Sequence, residues 1–121
     1  MIGNGIDIIE IDRIQEACLK WGDRFLNRIY TQQEQNYCRG RFPQLAARFA
    51  AKEAMMKSLG TGKRGLLWVE IEVVRERGRA RTIVLHGNAL SIAENQNIKE
   101  IQLTISHSRN YAVASTLAIK Y

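Results

Sequence analysis

Residues 44–59 read QLAARFAAKEAMMKSL, and this stretch gives the strongest helix prediction in the chain. Alanine, leucine and methionine dominate it, and all three have a high intrinsic helix propensity. Because the segment is apolar on most sides, we expect its helix to be largely buried. Its polar residues fall on two narrow edges, one with Arg48 and Lys52 and the other with Glu53 and Lys57.

The segments around this helix predict a mixed α and β domain. The isoleucine-rich residues 2–11 predict a strand. Asp12 is placed to cap a helix that begins at Arg13, and Gly22 is placed to break that helix into two pieces. The remaining predicted elements are helices at 32–39 and 87–95 and strands at 69–76, 81–85, 101–107 and 111–119.

The order of these elements is β-α-α-α-β-β-α-β-β, which predicts an α+β fold with an antiparallel sheet packed against helices. A chain of 121 residues that is 45% hydrophobic suits one domain, which we assign to residues 1–121. No apolar run approaches the roughly 20 residues of a membrane span, and the N-terminus does not resemble a signal peptide. Cys18 and Cys38 stand alone, as free thiols do in a reducing compartment, so we expect a cytoplasmic protein without membrane contact.

The charge of the chain favours an acidic partner, because the net charge is +6 and the pI is near 9.7. Nucleic acid, an acidic protein and a polyphosphate ligand all satisfy that preference. A mostly basic stripe spans about 80° of one helical face, and its members are Arg13, Ala17, Lys20, Arg24 and Arg28. The stripe is either a solvated outer face or a docking surface. The inner stripe of the same helix is Ile14, Cys18, Trp21 and Phe25.

Two carboxylates stand in apolar surroundings, Asp7 in the first predicted strand and Glu53 in the central helix. Asp7 fits a strand-end residue bonded to a turn, and Glu53 fits an ordinary ion pair with Lys57 four positions later. Both also fit metal ligands, because a buried carboxylate needs a compensating cation. Mg²⁺ typically takes one or two carboxylates and completes its shell with water and phosphate oxygens. A Mg²⁺ site is therefore one of the interpretations that the two residues allow.

Several other kinds of site are not indicated. Ser106 and His107 are adjacent, but they lack a nucleophile elbow and an acidic partner, so a hydrolase triad is not expected. The glycine-rich residues 60–63 follow a helix and do not open one, which does not match a Walker loop. Aromatic residues make up only 7% of the chain and no nucleic-acid-binding signature is present, so we do not expect a nucleic acid partner. A basic nucleic-acid- or protein-binding module without catalysis stays open as the alternative function.

Three segments of the chain resemble the holo-acyl-carrier-protein synthases. They are GIDIIEIDRI at 5–14, RFAAKEA at 48–54 followed by Lys57 and residues 60–62, and ISHS at 105–108. Their order and spacing fit that family over nearly the whole chain. The resemblance implies a Mg²⁺-dependent transferase that moves 4'-phosphopantetheine from coenzyme A to a serine of apo-acyl carrier protein in fatty acid biosynthesis. It also implies release of adenosine 3',5'-bisphosphate and a homotrimer with active sites between subunits.

The resemblance further implies roles for individual residues. Asp7 and Glu53 match the Mg²⁺ ligands, and Lys57 matches the lysine that faces the diphosphate, so these three are the expected catalytic residues. His107 matches a histidine near the 3'-phosphate of the nucleotide. The full set expected to contact coenzyme A is Lys57, His107, Arg48, Gly60 and Arg41.

The resemblance also favours one interpretation of the basic stripe. Acyl carrier proteins are acidic helical domains, so a positive helix face is suited to dock one. The residues expected to contact the carrier are Arg13, Lys20 and Arg24.

Overall fold

The structure is a computed structural model that describes residues 2–60, 65–75 and 78–120. Its elements are β1 (Ile2–Glu10), α1 (Ile11–Trp21), α2 (Asp23–Ile29), α3 (Gln32–Cys38), α4 (Phe42–Leu59), a short 3₁₀ helix (Trp68–Glu70), β2 (Ile71–Val74), β3 (Thr82–Leu85), α5 (Gly87–Asn95), β4 (Ile98–His107) and β5 (Tyr111–Lys120). Strands β1, β5 and β4 form an antiparallel sheet in that spatial order, and β2 and β3 form a separate hairpin. The α+β class is confirmed, with the first predicted helix divided in two and the strands divided between two sheets.

The first helix differs from the sequence prediction at its start, whereas the predicted break at Gly22 is confirmed. It begins at Ile11, two residues earlier than predicted, and Asp12 lies exposed within its first turn and does not cap it. The amide of Ile11 donates to the carbonyl of Asn110, in the turn between β4 and β5, at 2.8 Å. Gly22 ends the helix with a φ of 55°, which glycine adopts at little cost. Trp21, predicted to lie on the inner stripe, sits at this end and is 50% exposed.

The central helix α4 packs against β1 and β5 and is buried on most sides, as the sequence predicts. Two glycines of β1 make this packing close. A Cβ atom at Gly5 would overlap the carbonyl oxygen of Ala54, and one at Gly3 would come within 2.6 Å of the carbonyl oxygen of Ser58. The facing side of β5 is formed by small residues that are fully buried, namely Ala112, Ala114, Thr116 and Ala118.

A buried lysine joins α4 to the β2–β3 hairpin. Lys52 lies 2.8 Å from a carboxylate oxygen of Glu34 on α3 and also donates to the carbonyl oxygen of Trp68 at 3.2 Å. Glu34 in turn accepts from the amide of Val73 in β2 at 2.8 Å. Thr31 and Glu34 form the predicted capping box at the start of α3. Lys52 therefore serves the fold, since its partners Glu34, Trp68 and Ile71 belong to three separate segments.

The register of the main sheet sets the positions of two predicted site residues. Asp7 of β1 pairs with Ala114 of β5, whereas His107 of the edge strand β4 pairs with Ala112. The turn between β4 and β5 covers residues 108–110, as predicted. The strand predicted at 69–76 is instead a 3₁₀ helix followed by β2, which ends at Val74, and residue 76 lies outside the described residues. Among the helices of the described residues, none combines the length and the apolar character that crossing a membrane requires.

Candidate active site

Asp7 and Glu53 line one cavity of about 330 Å³, although they are far apart in the sequence. Asp7 comes from β1 and Glu53 from α4, the two elements that the glycines of β1 bring into close contact. Other residues around this cavity are Ile8, Ile9, Arg13, Ile14, Ala17, Phe25 and Phe49. The cavity thus has two acidic groups and one basic group, Arg13, among otherwise apolar lining residues.

Lys57 bonds to Asp7 at the edge of this cavity. Its ammonium lies 3.1 Å from Asp7 Oδ1 and donates to the carbonyl oxygen of Ile6 at 2.9 Å. The Lys57 side chain is 53% exposed and that of Asp7 is 15% exposed. Lys57 thus pairs with a carboxylate of the neighbouring strand, a partner that helical spacing does not indicate. The ammonium is held beside Asp7 by the neighbouring strand β1.

The donor chemistry of the cavity suits a hard divalent cation. Asp7 and Glu53 supply carboxylate oxygens, and Mg²⁺ typically takes one or two protein carboxylates together with water and phosphate oxygens. No group of three or more His, Cys, Asp or Glu residues gathers anywhere in residues 2–60, 65–75 and 78–120. In that part of the chain, a closed structural zinc site with four protein ligands is therefore not present.

A second cavity, of about 470 Å³, adjoins the first, because Phe25 and Phe49 line both cavities. Its other lining residues are Trp21, Arg24, Arg28, Ile29 and Trp68. The rings of Phe49 and Trp68 stack with centroids 4.8 Å apart. No chemical pattern in the sequence marks Phe49, yet Phe49 precedes Glu53 by four residues, a spacing that puts both side chains on one face of a helix.

The basic stripe is split between two helices. Arg13 and Lys20 lie on α1, whereas Arg24 lies on α2, because Gly22 interrupts the helix between them. Arg13 lines the cavity with Asp7 and Glu53, and Arg24 lines the second cavity. The ammonium of Lys20 lies 5.0 Å from the ring of Trp21. The continuous stripe predicted for one helix is thus wrong in its geometry, but its arginines do border the two cavities.

The other residues predicted to contact a nucleotide do not line the cavity with Asp7. His107 is exposed at the end of β4 and lines neither cavity. Arg48 is only 1% exposed and stacks on the ring of Tyr37, and Arg41 donates to the carbonyl oxygens of Tyr37 and Cys38 at 2.6 and 2.8 Å. Gly60 ends α4 with a φ of 76°. Within one chain, Asp7, Glu53 and Lys57 are brought together and the remaining predicted contacts are not.

Comparison with known proteins assigns the chain to a family. The chain matches the 4'-phosphopantetheinyl transferase superfamily over residues 3–116. It is 46% identical over 121 residues to a holo-[acyl-carrier-protein] synthase of Koribacter versatilis, with 97% of each chain covered. It is also similar to the crystal structure of the holo-[acyl-carrier-protein] synthase of Neisseria meningitidis (TM-score 0.89, 35% identity, 99% of this chain and 100% of that chain). A Helicobacter pylori holo-[acyl-carrier-protein] synthase in complex with coenzyme A is similar as well (TM-score 0.85, 30% identity, 96% of this chain and 97% of that chain). The chain therefore belongs to the 4'-phosphopantetheinyl transferase superfamily and, within it, to the holo-[acyl-carrier-protein] synthases.

Proposed function

We propose that this protein transfers the 4'-phosphopantetheine group of coenzyme A to a serine of apo-acyl carrier protein and releases adenosine 3',5'-bisphosphate. Family membership supports the reaction class, and the similar Helicobacter pylori protein was crystallised with coenzyme A. The observation that carries the proposal is the cavity that Asp7 and Glu53 line together, with Lys57 bonded to Asp7 at its edge. Two acidic groups and one exposed ammonium form a set that can bind a diphosphate and a divalent cation together.

We propose Asp7 and Glu53 as the residues that hold Mg²⁺. Both line the same cavity and both are partly buried, and a carboxylate in such surroundings gains from a nearby cation. When bound, Mg²⁺ would offset negative charge on the diphosphate. The ammonium of Lys57 already offsets part of the negative charge of Asp7. The carboxylate of Asp7 would therefore interact with both Lys57 and the metal.

Lys57 and Glu53 then have distinct parts in the transfer. The serine oxygen attacks the phosphorus that carries pantetheine, and the bond from that phosphorus to the oxygen of adenosine 3',5'-bisphosphate breaks. The ammonium of Lys57, which the carbonyl oxygen of Ile6 and the carboxylate of Asp7 hold in place, would stabilise negative charge on the leaving oxygen. Glu53 is a candidate to accept the proton that the serine hydroxyl loses.

The acidic partner that the net charge favours would be the carrier protein of fatty acid synthesis. Arg13 borders the Asp7–Glu53 cavity and Arg24 borders the adjoining one, so an acidic carrier bound across them would place its serine near the cavities. Lys20, beside Trp21, extends the positive surface. We assign the reaction to the cytoplasm, in keeping with the free thiols of Cys18 and Cys38.

We further propose a homotrimer with active sites between its subunits. On the face of the main sheet that turns away from α4, Ile6 and Ile8 are each 63% exposed. An exposed apolar surface of this kind is typical of an interface. His107 and Arg48 do not line the cavity that contains Asp7. A coenzyme A molecule bound beside Asp7 would therefore meet the corresponding residues of a neighbouring subunit. The double variant Ile6→Lys/Ile8→Lys should be monomeric by light scattering, whereas a monomeric wild type would refute the proposal.

Mass spectrometry of the carrier protein tests the proposed reaction. The protein is incubated with coenzyme A, Mg²⁺ and apo-acyl carrier protein, and the carrier should gain the mass of one phosphopantetheine group. A carrier whose acceptor serine is replaced by alanine is the matched control and should gain nothing. Retention of the protein on nucleic acid, without any mass gain on the intact carrier, would overturn the proposal in favour of a binding module.

A further inference from the structure

A pair of buried hydroxyl groups bonds the central helix to the main sheet. Thr116 of β5 is fully buried, and its Oγ1 donates to the carbonyl oxygen of Ala54 in α4 at 3.0 Å. The hydroxyl of Ser58, four residues after Ala54, also bonds to Thr116 Oγ1. Because the single hydrogen of the Thr116 hydroxyl goes to Ala54, Ser58 is the donor in the second bond. The two hydroxyls thus form a directed chain of bonds that starts and ends on α4.

This pair lies in an interface that is otherwise apolar. Of the main-sheet residues whose burial the structure describes, Thr116 is the only polar one that is buried. Its neighbours on the same face of β5 are Ala114 and Ala118, and both are fully buried. Replacement of a buried hydrogen-bonded pair by apolar groups of the same shape can be nearly neutral for stability. Stability alone therefore does not account for a threonine at a position where valine has the same shape.

A glycine of β1 positions the same carbonyl group. In the register of the sheet, Gly5 lies directly opposite Thr116. A Cβ atom at Gly5 would overlap the carbonyl oxygen of Ala54, which is the oxygen that accepts from Thr116. That oxygen therefore lies between a glycine of β1, which makes room for it, and a hydroxyl of β5, which bonds to it.

The two bonded positions of α4 are the immediate neighbours of the two site residues of this helix. Glu53 directly precedes Ala54, and Lys57 directly precedes Ser58. Neither Ser58 nor Thr116 lines one of the two cavities. Their hydroxyls can therefore influence the site only through the position of the helix that carries Glu53 and Lys57.

Directional bonds supply what the apolar contact between helix and sheet lacks. Apolar burial is non-directional, so a small shift of α4 along the sheet changes it little. A hydrogen bond, by contrast, weakens steeply when its angle or length changes. Buried polar residues fix the register of packed helices in some proteins for this reason. The hydroxyl pair is therefore suited to fix where α4 lies along β1 and β5.

We propose that Thr116 and Ser58 are positioning residues for the transfer. Their hydroxyls fix the position of α4 along the sheet, and this position sets Glu53 and Lys57 against Asp7. The inference rests on the proposed function, in which the two carboxylates hold Mg²⁺ and the ammonium stabilises the leaving oxygen. Misplacement of a reacting group by about 1 Å can cost about 100-fold in rate. Loss of the hydroxyl bonds should therefore lower metal affinity and kcat in a chain that stays folded.

Two substitutions of Thr116 separate positioning from packing. Thr116→Val keeps the shape of the side chain and removes the hydroxyl, so the affinity for Mn²⁺, a paramagnetic probe of the magnesium site, should fall by about tenfold. Electron paramagnetic resonance on the full chain measures that affinity, and Asp7→Asn identifies the part of the signal that belongs to this site. Thr116→Ser keeps the hydroxyl and loses a methyl group, so it should unfold a few degrees earlier but bind Mn²⁺ like wild type. With a purely structural role, the affinity would instead follow thermal stability in both variants.

A second bond and a control on the same helix extend the test. Ser58→Ala removes the donor to Thr116 and leaves the bond from Thr116 to Ala54, so it should lower Mn²⁺ affinity and kcat by less than Thr116→Val does. It also tests the pair if Thr116→Val does not fold. Tyr30→Phe removes a comparable buried bond, 2.7 Å long, to the carbonyl oxygen of Leu45 near the start of α4. This control should lower thermal stability and leave Mn²⁺ affinity and kcat unchanged.

The steady-state constants decide between the outcomes. In Thr116→Val, kcat at saturating Mg²⁺ should fall by at least about tenfold, and the KM for coenzyme A should change far less. Wild-type Mn²⁺ affinity and kcat in a folded Thr116→Val protein, or equally large losses in Tyr30→Phe, would overturn the positioning role. A wild type that binds Mn²⁺ but adds no mass to the carrier would refute the proposed function only, because the Mn²⁺ affinities still test the positioning role. A wild type that binds no Mn²⁺ would refute the metal site and the positioning role together.

Discussion

Lys52 and Glu34 form an ion pair of 2.8 Å in which neither side chain is exposed to solvent. Burial lowers the pKa of Lys52, and the charge and hydrogen bond of Glu34 oppose that shift without cancelling it. Glu34 also accepts from the main-chain amides of Thr31 and Val73. The pair therefore connects α3, α4 and β2 through groups that have no access to water.

Replacement of Lys52 by methionine should strongly destabilise the protein. The change leaves the Glu34 carboxylate buried without its cation, and removal of one partner of such a pair costs about 3–5 kcal/mol. Urea titration of the free energy of unfolding measures the loss. The exposed Lys99→Met is the matched control, with an expected change below about 0.5 kcal/mol. A loss for Lys52→Met as small as that of the control would contradict the structural role of the pair.

Glu72 should make stability depend on pH in the acid range. Burial raises its pKa, but hydrogen bonds with Thr31 (2.6 Å) and His86 (3.1 Å) outweigh burial and lower it overall. A glutamate with a lowered folded pKa stabilises the protein above its unfolded pKa of about 4.3, and that contribution is lost as the pH falls through the folded pKa. Urea unfolding between about pH 6 and about pH 3 should thus show a weaker pH dependence in Glu72→Gln than in wild type. Identical pH profiles would rule this contribution out.

Gly5→Ala should disrupt the packing of β1 on α4. The added methyl group would overlap the carbonyl oxygen of Ala54, and because that atom belongs to the main chain it cannot move aside by a rotamer change. We expect a loss of at least about 3 kcal/mol, at the upper end of the usual cost of overpacking. Thermal unfolding provides the measurement, and Asn4→Ala, an exposed position of the same strand, is the control. A Gly5→Ala protein as stable as that control would contradict the close contact.

Lys57→Met and Asp7→Asn should abolish most transfer while the protein stays folded. Lys57 is half exposed and its ion pair is at the surface, so little stability depends on it. Loss of one electrostatic contact to a transition state typically lowers kcat by about 10²–10³-fold. The rate of mass gain on the carrier measures the effect, and circular dichroism verifies folding. Either variant with wild-type kcat would exclude that residue from the reaction.

Charge reversal at Arg13 and Arg24 should weaken carrier binding selectively. In Arg13→Glu/Arg24→Glu, the KM for acyl carrier protein should rise by at least about tenfold, and the KM for coenzyme A should change far less. Lys99→Glu is the matched charge reversal away from the cavities and should leave both constants unchanged. Equal increases for the two substrates would assign these arginines to coenzyme A and refute their role in docking.

Local sequence patterns predicted most of the fold. The α4 helix, the capping box at Thr31 and the β4–β5 hairpin follow from propensity and spacing, and all three are present. Local patterns gave wrong element boundaries where contacts between residues far apart in the sequence determine the structure. The amide of Ile11 bonds to Asn110, so α1 starts before the predicted cap, and this contact joins residues that are far apart in sequence.

The candidate site was only partly accessible to sequence reasoning. Asp7 and Glu53 were paired because of their chemistry, and the cavity they share agrees with that. The bond between Lys57 and Asp7 could not be predicted from the sequence, because it joins α4 to β1. Helical spacing indicated Glu53 as the partner of Lys57.

The contact between Gly5 and Ala54 lies two residues from Asp7 and one residue from Glu53. The distance between the main chains that carry the two carboxylates is therefore governed by touching main-chain atoms. Mild heating that loosens this contact should impair cation affinity before the helices melt, so that inactivation precedes the loss of circular dichroism. Directed evolution for a more heat-tolerant catalyst would accordingly begin with residues that tighten the seam between this strand and this helix.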